Sequence, residues 1–321
     1  MKAGVSTEKG LEIRDIPQPK PKPNEVLVKV RAAGLNRADL NAAFGKGGHG
    51  DTGAVIGLDW SGEVIDVGSE AQGGFKPGDK VMCAGAGGYA EYAVADWGRV
   101  VPMGQGMSFE VAATLPVAVS TMHDALISNG NMKKGEAVLI QGASSGVGIM
   151  GLQIAKLLGA GLVIGSSTNA ERRAKLKDFG ADLVIDTTNP AWPEEVKKAT
   201  GGKGVDVIVD QVSGPTVNGS LKCSNVLCRI ISVGRLGGTS GDFDFALHAA
   251  QRISFIGVTH RTRSVDELRE EIRVMWKDLQ GPIQAGKLHL PIDKTFPLAD
   301  AIAAQAHMKA NAHFGKVLLI P

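Results

Sequence analysis

Cysteine is scarce, with only Cys83, Cys223 and Cys228 in 321 residues. So small and odd a number excludes a disulfide scaffold and suits a reducing compartment. A surplus of either charge is also missing. The 35 Lys and Arg face 33 Asp and Glu, for a formal net charge of +2. No basic run extends beyond a few residues, so the footprint of a nucleic-acid binder is absent. No apolar stretch approaches the roughly 18 residues of a membrane span. Met1 to Val5 enter the fold without a signal-peptide core. The expectation is a cytosolic protein with no nucleic-acid or membrane partner.

Glycine, by contrast, is plentiful. The 43 glycines cluster in turns between short apolar runs, as in a fold with many strands and tight connections. The length implies two domains. Residues 1–117 read as mainly β, with strands at 26–30, 61–67 and 90–94 and a turn into a strand at 76–81. Four prolines between Pro17 and Asn24 mark an extended surface connection. From about residue 118 the pattern changes. Short apolar strands at 138–141, 162–165, 183–185, 205–210, 229–233 and 253–258 are separated mostly by helical segments, as at 147–158 and 169–179. This is the doubly wound α/β signature. An amphipathic helix follows at 265–279. The tail, with strands at 292–296 and 316–320 around a helix at 298–309, is of a kind to rejoin the first domain.

The most informative segment is 136–148, where an apolar run ends in Gly142-Ala143-Ser144-Ser145-Gly146-Val147-Gly148 and opens directly into a helix. Strand, tight turn and helix N-terminus in that order make a pyrophosphate site. Backbone N–H groups and the positive end of the helix dipole face the phosphates, and small residues allow close approach. In NAD-specific folds an acid ends the next strand and binds the ribose 2′-OH. Here that strand ends in Ser166-Ser167-Thr168-Asn169, and Arg172 and Arg173 follow. Small hydroxyls and a guanidinium suit a 2′-phosphate, hence NADPH. Alternatively both arginines are solvated, and Glu171 either pairs with one or opposes the phosphate. Strand ends face the ligand crevice of an open α/β sheet. That nominates Val233, Gly234 and Arg235, Val258 and Thr259, and Thr187 on the adenine side. Lys316, after a glycine, is nominated for the nicotinamide ribose or pyrophosphate.

From Glu25 onward the chain resembles the medium-chain dehydrogenase/reductase superfamily, in its zinc-free quinone oxidoreductase (zeta-crystallin-like) branch. The resemblance rests on Gly34-Leu35-Asn36-Arg37-Ala38-Asp39, Gly57-Leu58-Asp59-Trp60-Ser61-Gly62-Glu63-Val64, Gly78-Asp79-Lys80-Val81 and Gly88-Tyr89-Ala90-Glu91-Tyr92. It continues through Gly135-Glu136, the run Ala143 to Gly148, Gln153 and Lys156 to Phe314-Gly315-Lys316-Val317. Ser145 stands where a glycine is usual. The resemblance implies an α/β protein with a GroES-like β domain at 1–117, completed by 283–321, and a Rossmann domain with a doubly wound parallel sheet at 118–282. It also implies a homodimer through the edge of the Rossmann sheet, near 253–258.

Zinc alcohol dehydrogenases of the superfamily hold catalytic zinc with two Cys and one His. Here Asn36 takes the first cysteine position and Leu58-Asp59 replaces the His-Glu pair. The segment 116–124 has no cysteine, and 82–105 has only Cys83. His307 and His313 read as surface or packing residues, and Cys223 and Cys228 as buried hydrophobes. The expectation is no metal. Without zinc, nicotinamide hydride transfer needs an acceptor that is already electrophilic, such as a quinone or a C=C bond conjugated to a carbonyl. The developing oxyanion needs a hydrogen-bond donor. Asn36 is the first candidate, with Asp39 orienting it or structural, and Arg37 a donor or merely exposed. Trp60 and the loop 45–53 either line the substrate cleft or, for Trp60, join the core. His123 is a packing histidine or lies near the nicotinamide. Arg261 and Arg263 bind an anionic substrate or form an ion pair with Asp266 or Glu267. The expected activity is NADPH-dependent hydride transfer to a quinone or enone. The alternatives are reduction of a 2-enoyl thioester or unsaturated acid, and a non-catalytic, crystallin-like NADPH-binding protein.

Overall fold

A computed structural model describes residues 1–46 and 52–321. The chain divides into two compact units, one of Met1–Ser120 with His260–Pro321, the other of Thr121–Thr259.

The first unit is built on a seven-stranded sheet. Its order is Ile292–Pro297, Lys316–Ile320, Glu25–Gly34, Asp59–Val67, Lys80–Ala84 and Val100–Pro102, with Tyr92–Asp96 also paired to Glu25–Gly34. The ten-residue strand Glu25–Gly34 is long enough to pair with three others. Its alternating Val26, Val28 and Val30 face a core with Trp60, Val64, Tyr89, Val317 and Leu319. A fully buried side chain of this size contributes about 1.5–3 kcal/mol. The hairpin Lys2–Thr7 and Gly10–Asp15 forms a separate two-stranded sheet.

The helix Val265–Gln284 begins in a capping box. Ser264 Oγ accepts the Glu267 N–H at 3.2 Å, and the Glu267 carboxylate accepts the Ser264 N–H at 2.7 Å, satisfying two otherwise orphan donors. The sequence reading set the outer limit of the nucleotide domain at 282 and, by the family likeness, the end of the inserted domain at about 260. In the structure the helix lies in the first unit, and the division falls between Thr259 and His260. A specific anchor holds the helix there. Arg269 grips Asp96 with two bonds of 2.9 and 2.7 Å and lies 4.9 Å from the centre of the Trp97 ring.

The second unit is a sheet of six parallel strands. Their order is Leu183–Ile185, Leu162–Ser166, Ala137–Ile140, Val205–Asp210, Ser224–Ser232 and Ser254–Gly257. In chain order this is 3-2-1-4-5-6, the doubly wound arrangement whose topological switch lies between Ala137–Ile140 and Val205–Asp210. Gly180 caps the preceding 3-10 turn with φ +98°, as the sequence suggested.

One sequence expectation is corrected. The helical run Phe109–Asn129 is 21 residues and apolar enough, by length and composition, to cross a membrane. Its apolarity is met by the protein itself, since 72% of the most apolar window is buried.

Candidate active site

At the switch point, Ala137–Ile140 leads through Gln141 and Gly142 to the helix Gly146–Leu157. Gly142 holds φ +69°, a left-handed conformation that favours glycine. Ser145 is the N-cap. Its Oγ accepts the Gly148 N–H at 3.0 Å and lies 3.0 Å from Gly142 O and 3.1 Å from Gln211 Oε1. Gln211, from the neighbouring central strand end, donates to Gln141 O at 3.1 Å and more weakly to Gly142 O at 3.4 Å. Together they brace the turn across the switch point. Gly146 and Val147 head the helix, where no preceding turn bonds their N–H groups. A Cβ on Gly148 would lie 2.6 Å from both Ala143 Cα and Gly142 O, so helix and turn touch backbone to backbone. These features fit a dinucleotide pyrophosphate: a cradle without side chains in the way, open N–H groups and a helix dipole.

The neighbouring strand supplies further pieces. Ser166 Oγ donates to Gln141 Oε1 at 2.6 Å and accepts the Gly142 N–H at 3.0 Å. The Ser167 and Ser144 hydroxyls lie 3.0 Å apart, and Thr168 is exposed. Both arginines are half-buried in the helix Ala170–Lys175, and Arg173 reaches Asp186 at 2.9 Å and Ser167 O at 2.7 Å. Thr187, Val233, Gly234 and Val258 are half-buried beyond strand ends of the same sheet; Arg235 and Thr259 are exposed. Gln141, Gln211 and Asp210 were missed by sequence reasoning. The strand-end rule that nominated Val233 would have found Gln211. Asp210 is buried and accepts the Val212 and Ser213 N–H groups, each at 2.8 Å, holding the following loop.

The first unit holds a buried polar cluster. Asn36 caps the short helix Arg37–Ala42, and the Asp39 carboxylate accepts its N–H at 2.8 Å and the Tyr89 hydroxyl at 2.9 Å. Burial pushes the Asp39 pKa up to about 7, with the Tyr89 and Asn36 hydrogen bonds and the Lys316 charge opposing. Tyr89 is raised well above its usual range by burial and by the Asp39 charge. The Asn36 carboxamide is tied at both ends. Its Nδ2 donates to Asp59 Oδ2 at 2.9 Å, and its Oδ1 accepts from Lys316 Nζ at 2.9 Å. Lys316 Nζ also donates to Asp59 Oδ2 at 2.5 Å and Leu35 O at 3.1 Å. Asp59 Oδ1 accepts the Val117 N–H at 2.7 Å.

This cluster brings Asn36 and Asp39 together as the sequence suggested and adds Asp59 and Tyr89, which the sequence reading had used only as fold motifs. It also relocates Lys316. With three acceptors around its ammonium inside the first unit, no N–H is left for a phosphate or ribose. Trp60 is fully buried and donates to Gly85 O at 2.9 Å, so it is core and not cleft lining. Arg37 turns to the Asn311 side chain and the Met308 carbonyl, and partial burial lowers its pKa. Arg263 pairs at 2.5 Å with the buried Glu271, which also meets His260 at 2.8 Å. The expected partners were Asp266 or Glu267. Arg261 is exposed, and His123 is fully buried. His307 binds Asp293 at 2.7 Å and packs near Phe296 and His313. The glycine-rich loop 45–53 lies at 47–51 outside the described residues.

Sheet order and phosphate turn define a dinucleotide-dependent α/β oxidoreductase fold with an added β unit. The family model for the alcohol dehydrogenase GroES-like domain matches residues 22–105, and that for zinc-binding dehydrogenases matches 146–277. A quinone oxidoreductase of Sus scrofa is 31% identical over 315 residues, covering 95% of this chain and 92% of that protein. The Escherichia coli quinone oxidoreductase complexed with NADPH is 26% identical with a TM-score of 0.87, covering 100% of this chain and 99% of that one. A highly reducing polyketide synthase of Fusarium pseudograminearum is 27% identical over 300 residues. That match covers 92% of this chain, which spans only 12% of the synthase. The chain belongs to the medium-chain dehydrogenase/reductase superfamily, in the branch of the quinone oxidoreductases.

The zinc named for one matching model does not fit the residues present. At Asn36 and Asp59 the donors are an amide and a carboxylate that already surround the Lys316 ammonium. All three thiols are free and buried, and burial raises Cys83 and Cys228 to about 12 and Cys223 further, which disfavours the thiolate that zinc requires. Among the described residues no group of three or more His, Cys, Asp or Glu is placed to hold a metal ion.

Proposed function

We propose that this protein is an NADPH-dependent, zinc-independent oxidoreductase that reduces quinones or other α,β-unsaturated carbonyl acceptors. The observation that carries this reading is the braced glycine turn at the topological switch point, followed by a strand that ends in hydroxyls and arginines. Bound NADPH supplies a hydride from nicotinamide C4. The Gly146 and Val147 N–H groups bind the pyrophosphate, and Ser145 with Gln211 keeps the turn in shape. Arg172 clamps the 2′-phosphate, while Arg173 holds the Ser167 carbonyl and Asp186. Asn36 serves as hydrogen-bond donor to the acceptor oxygen. One Nδ2 hydrogen bonds Asp59, and the other makes only a long 3.4 Å contact with Gly34 O. Turning that second hydrogen to a developing oxyanion replaces a weak bond with a charge-assisted one. Asp39 fixes the Asn36 backbone.

NADPH oxidation measured with panels of quinones and enones tests the reading, and absence of turnover with every acceptor overturns it. Arg172→Ala is expected to weaken NADPH far more than NADH; equal loss removes Arg172 from the 2′-phosphate site. Asn36→Ala is expected to lower turnover and leave cofactor affinity nearly intact, and an unchanged rate makes Asn36 structural. The likeness to a segment of a highly reducing polyketide synthase favours a second reading, reduction of the Cα=Cβ bond of an enoyl thioester. A fixed preference for that bond over quinones selects it.

The same reading includes a cytosolic homodimer joined at the edge strand Ser254–Gly257. There Phe255 is 40% exposed and nearby Phe245 75%, and an edge strand offers unpaired backbone groups. Sedimentation of Phe255→Asp checks this, with a monomer expected.

A further inference from the structure

The Lys316 ammonium is surrounded by a carboxylate oxygen at 2.5 Å, a carboxamide oxygen at 2.9 Å and a carbonyl oxygen at 3.1 Å. Carboxylate, amide and carbonyl oxygens converging on one point are the donor set of a small cation. Here the chain supplies the cation itself, and Lys316 is only 3% exposed. Its stem passes over bare backbone at Gly34, where a Cβ would lie 3.1 Å from Lys316 Cε and 2.5 Å from Ala113 O. The opposite charge is equally enclosed, since Asp59 is fully buried and anchored by the Val117 N–H.

Such a charge pair gives little net stability over a well-packed apolar pair, so its effect on geometry is the more informative property. Asn36 is a neutral side chain bonded to both charges. Its Oδ1 faces the ammonium and its Nδ2 faces the carboxylate. A half-turn of the carboxamide would set N–H groups against the ammonium and oxygen against the carboxylate. Both contacts would be repulsive, and burial of all three side chains strengthens that repulsion. With only Asp59 present, or only Lys316, half of that constraint disappears.

We propose that Lys316 is a positioning residue, a tethered resident cation that with Asp59 fixes the orientation of the Asn36 carboxamide and so presents the second Nδ2 hydrogen for the transferred negative charge. The presentation rests on the donor role proposed above for Asn36; the fixed orientation does not. The chemistry is that of a substitute for a bound metal ion. A cation is present to order the site, but with every N–H engaged it does not itself bind the acceptor.

The test uses the whole protein and two independent readouts. The first is hydrogen exchange of the Asn36 side-chain amide by NMR, assigned by its disappearance in Asn36→Asp. The second is steady-state kinetics alongside NADPH affinity. In Lys316→Met the Asn36 amide is expected to exchange about 10-fold faster or more. Turnover is expected to fall about 10- to 100-fold, with the NADPH dissociation constant within roughly twofold. In Lys316→Ala, added ethylamine or propylamine is expected to restore both protection and turnover in part, because a free ammonium re-enters the oxygen cage. Should Lys316→Met not fold, Lys316→Met with Asp59→Asn removes both buried charges, and the same exchange measurement decides. Unchanged Asn36 protection in the folded variant overturns the proposal, as does lost protection with unchanged turnover. Lost protection in a protein whose parent reduces no acceptor instead overturns the functional reading and leaves the tethered cation standing.

Discussion

The two sites are built on opposite plans. The proposed phosphate turn works with backbone: the groups it offers a ligand are N–H donors, and its seven residues are contiguous, Gly142 to Gly148. The Lys316 cluster works with side chains drawn from distant parts of the chain. Lys316 lies 280 residues from Asn36 and 257 from Asp59, and Asp39 meets Tyr89 across 50. A backbone site tolerates side-chain change but not added bulk. A charged side-chain site tolerates bulk poorly and loss of a partner worse. Substitutions should therefore separate the two sites cleanly.

The largest expected effect is at the cluster. Asp59→Ala leaves the buried Lys316 ammonium without a counter-charge and the Val117 N–H without its acceptor. It should cost about 3–5 kcal/mol in denaturant unfolding while the NADPH affinity of the surviving folded protein stays near the parent value. A comparable loss of affinity would break the separation. The next effect is pH-dependent. Asp39 is raised from 3.8 to about 7, so the folded protein holds that proton more tightly than the unfolded chain. The contribution is fully present below about pH 4 and is lost as pH rises through 7, an upper bound of about 4 kcal/mol for the raised pKa alone. Unfolding of the parent and of Asp39→Asn, followed from pH 4 to 8, should show a slope in the first that is flattened in the second. At the phosphate turn, Gly148→Ala forces Cβ against the Ala143 and Gly142 backbone at 2.6 Å. NADPH affinity should fall about 100-fold by fluorescence titration, with the pH slope of Asp39 retained. The smallest effect is Ser145→Ala, which removes the cap of the helix Gly146–Leu157 and should cost about 1 kcal/mol in stability.

The same contrast explains what could be read from the sequence. The glycine turn was legible as a structural element because strand, turn and helix start are adjacent, and the strand Val205–Asp210 was found at its observed limits. The cluster was legible only at Asn36 and Asp39, which lie three residues apart and share one helix start. Asp59 and Trp60 occupy a strand whose first four residues are all buried, so alternation could not tell an inward from an outward side chain, and Trp60 looked available. Lys316 was assigned by its place after a glycine, whereas its destination depends on the antiparallel pairing of Lys316–Ile320 with Glu25–Gly34. Arg263 was matched to acids near in sequence, but the buried partner, Glu271, lies eight residues on, two turns along the helix. Whether the helix Val265–Gln284 goes with the sheet it follows was left between limits of about 260 and 282, because nothing local announces the grip of Arg269 on Asp96, 173 residues away.

The separation of Asn36 and Lys316 also dictates an order of events during synthesis. Domains generally fold as units, earlier ones first, and Thr121–Thr259 is one uninterrupted stretch. It leaves the ribosome complete while the strand Lys316–Ile320 is still to be made, so the nucleotide-binding unit has all its chain before the β unit has its central ammonium. Throughout that interval Asp59 lacks the cation it is buried with, and the strand Glu25–Gly34 lacks the neighbour that Lys316–Ile320 supplies. The last strand thus delivers both a missing hydrogen-bonded neighbour and a missing charge, and its docking closes the β unit.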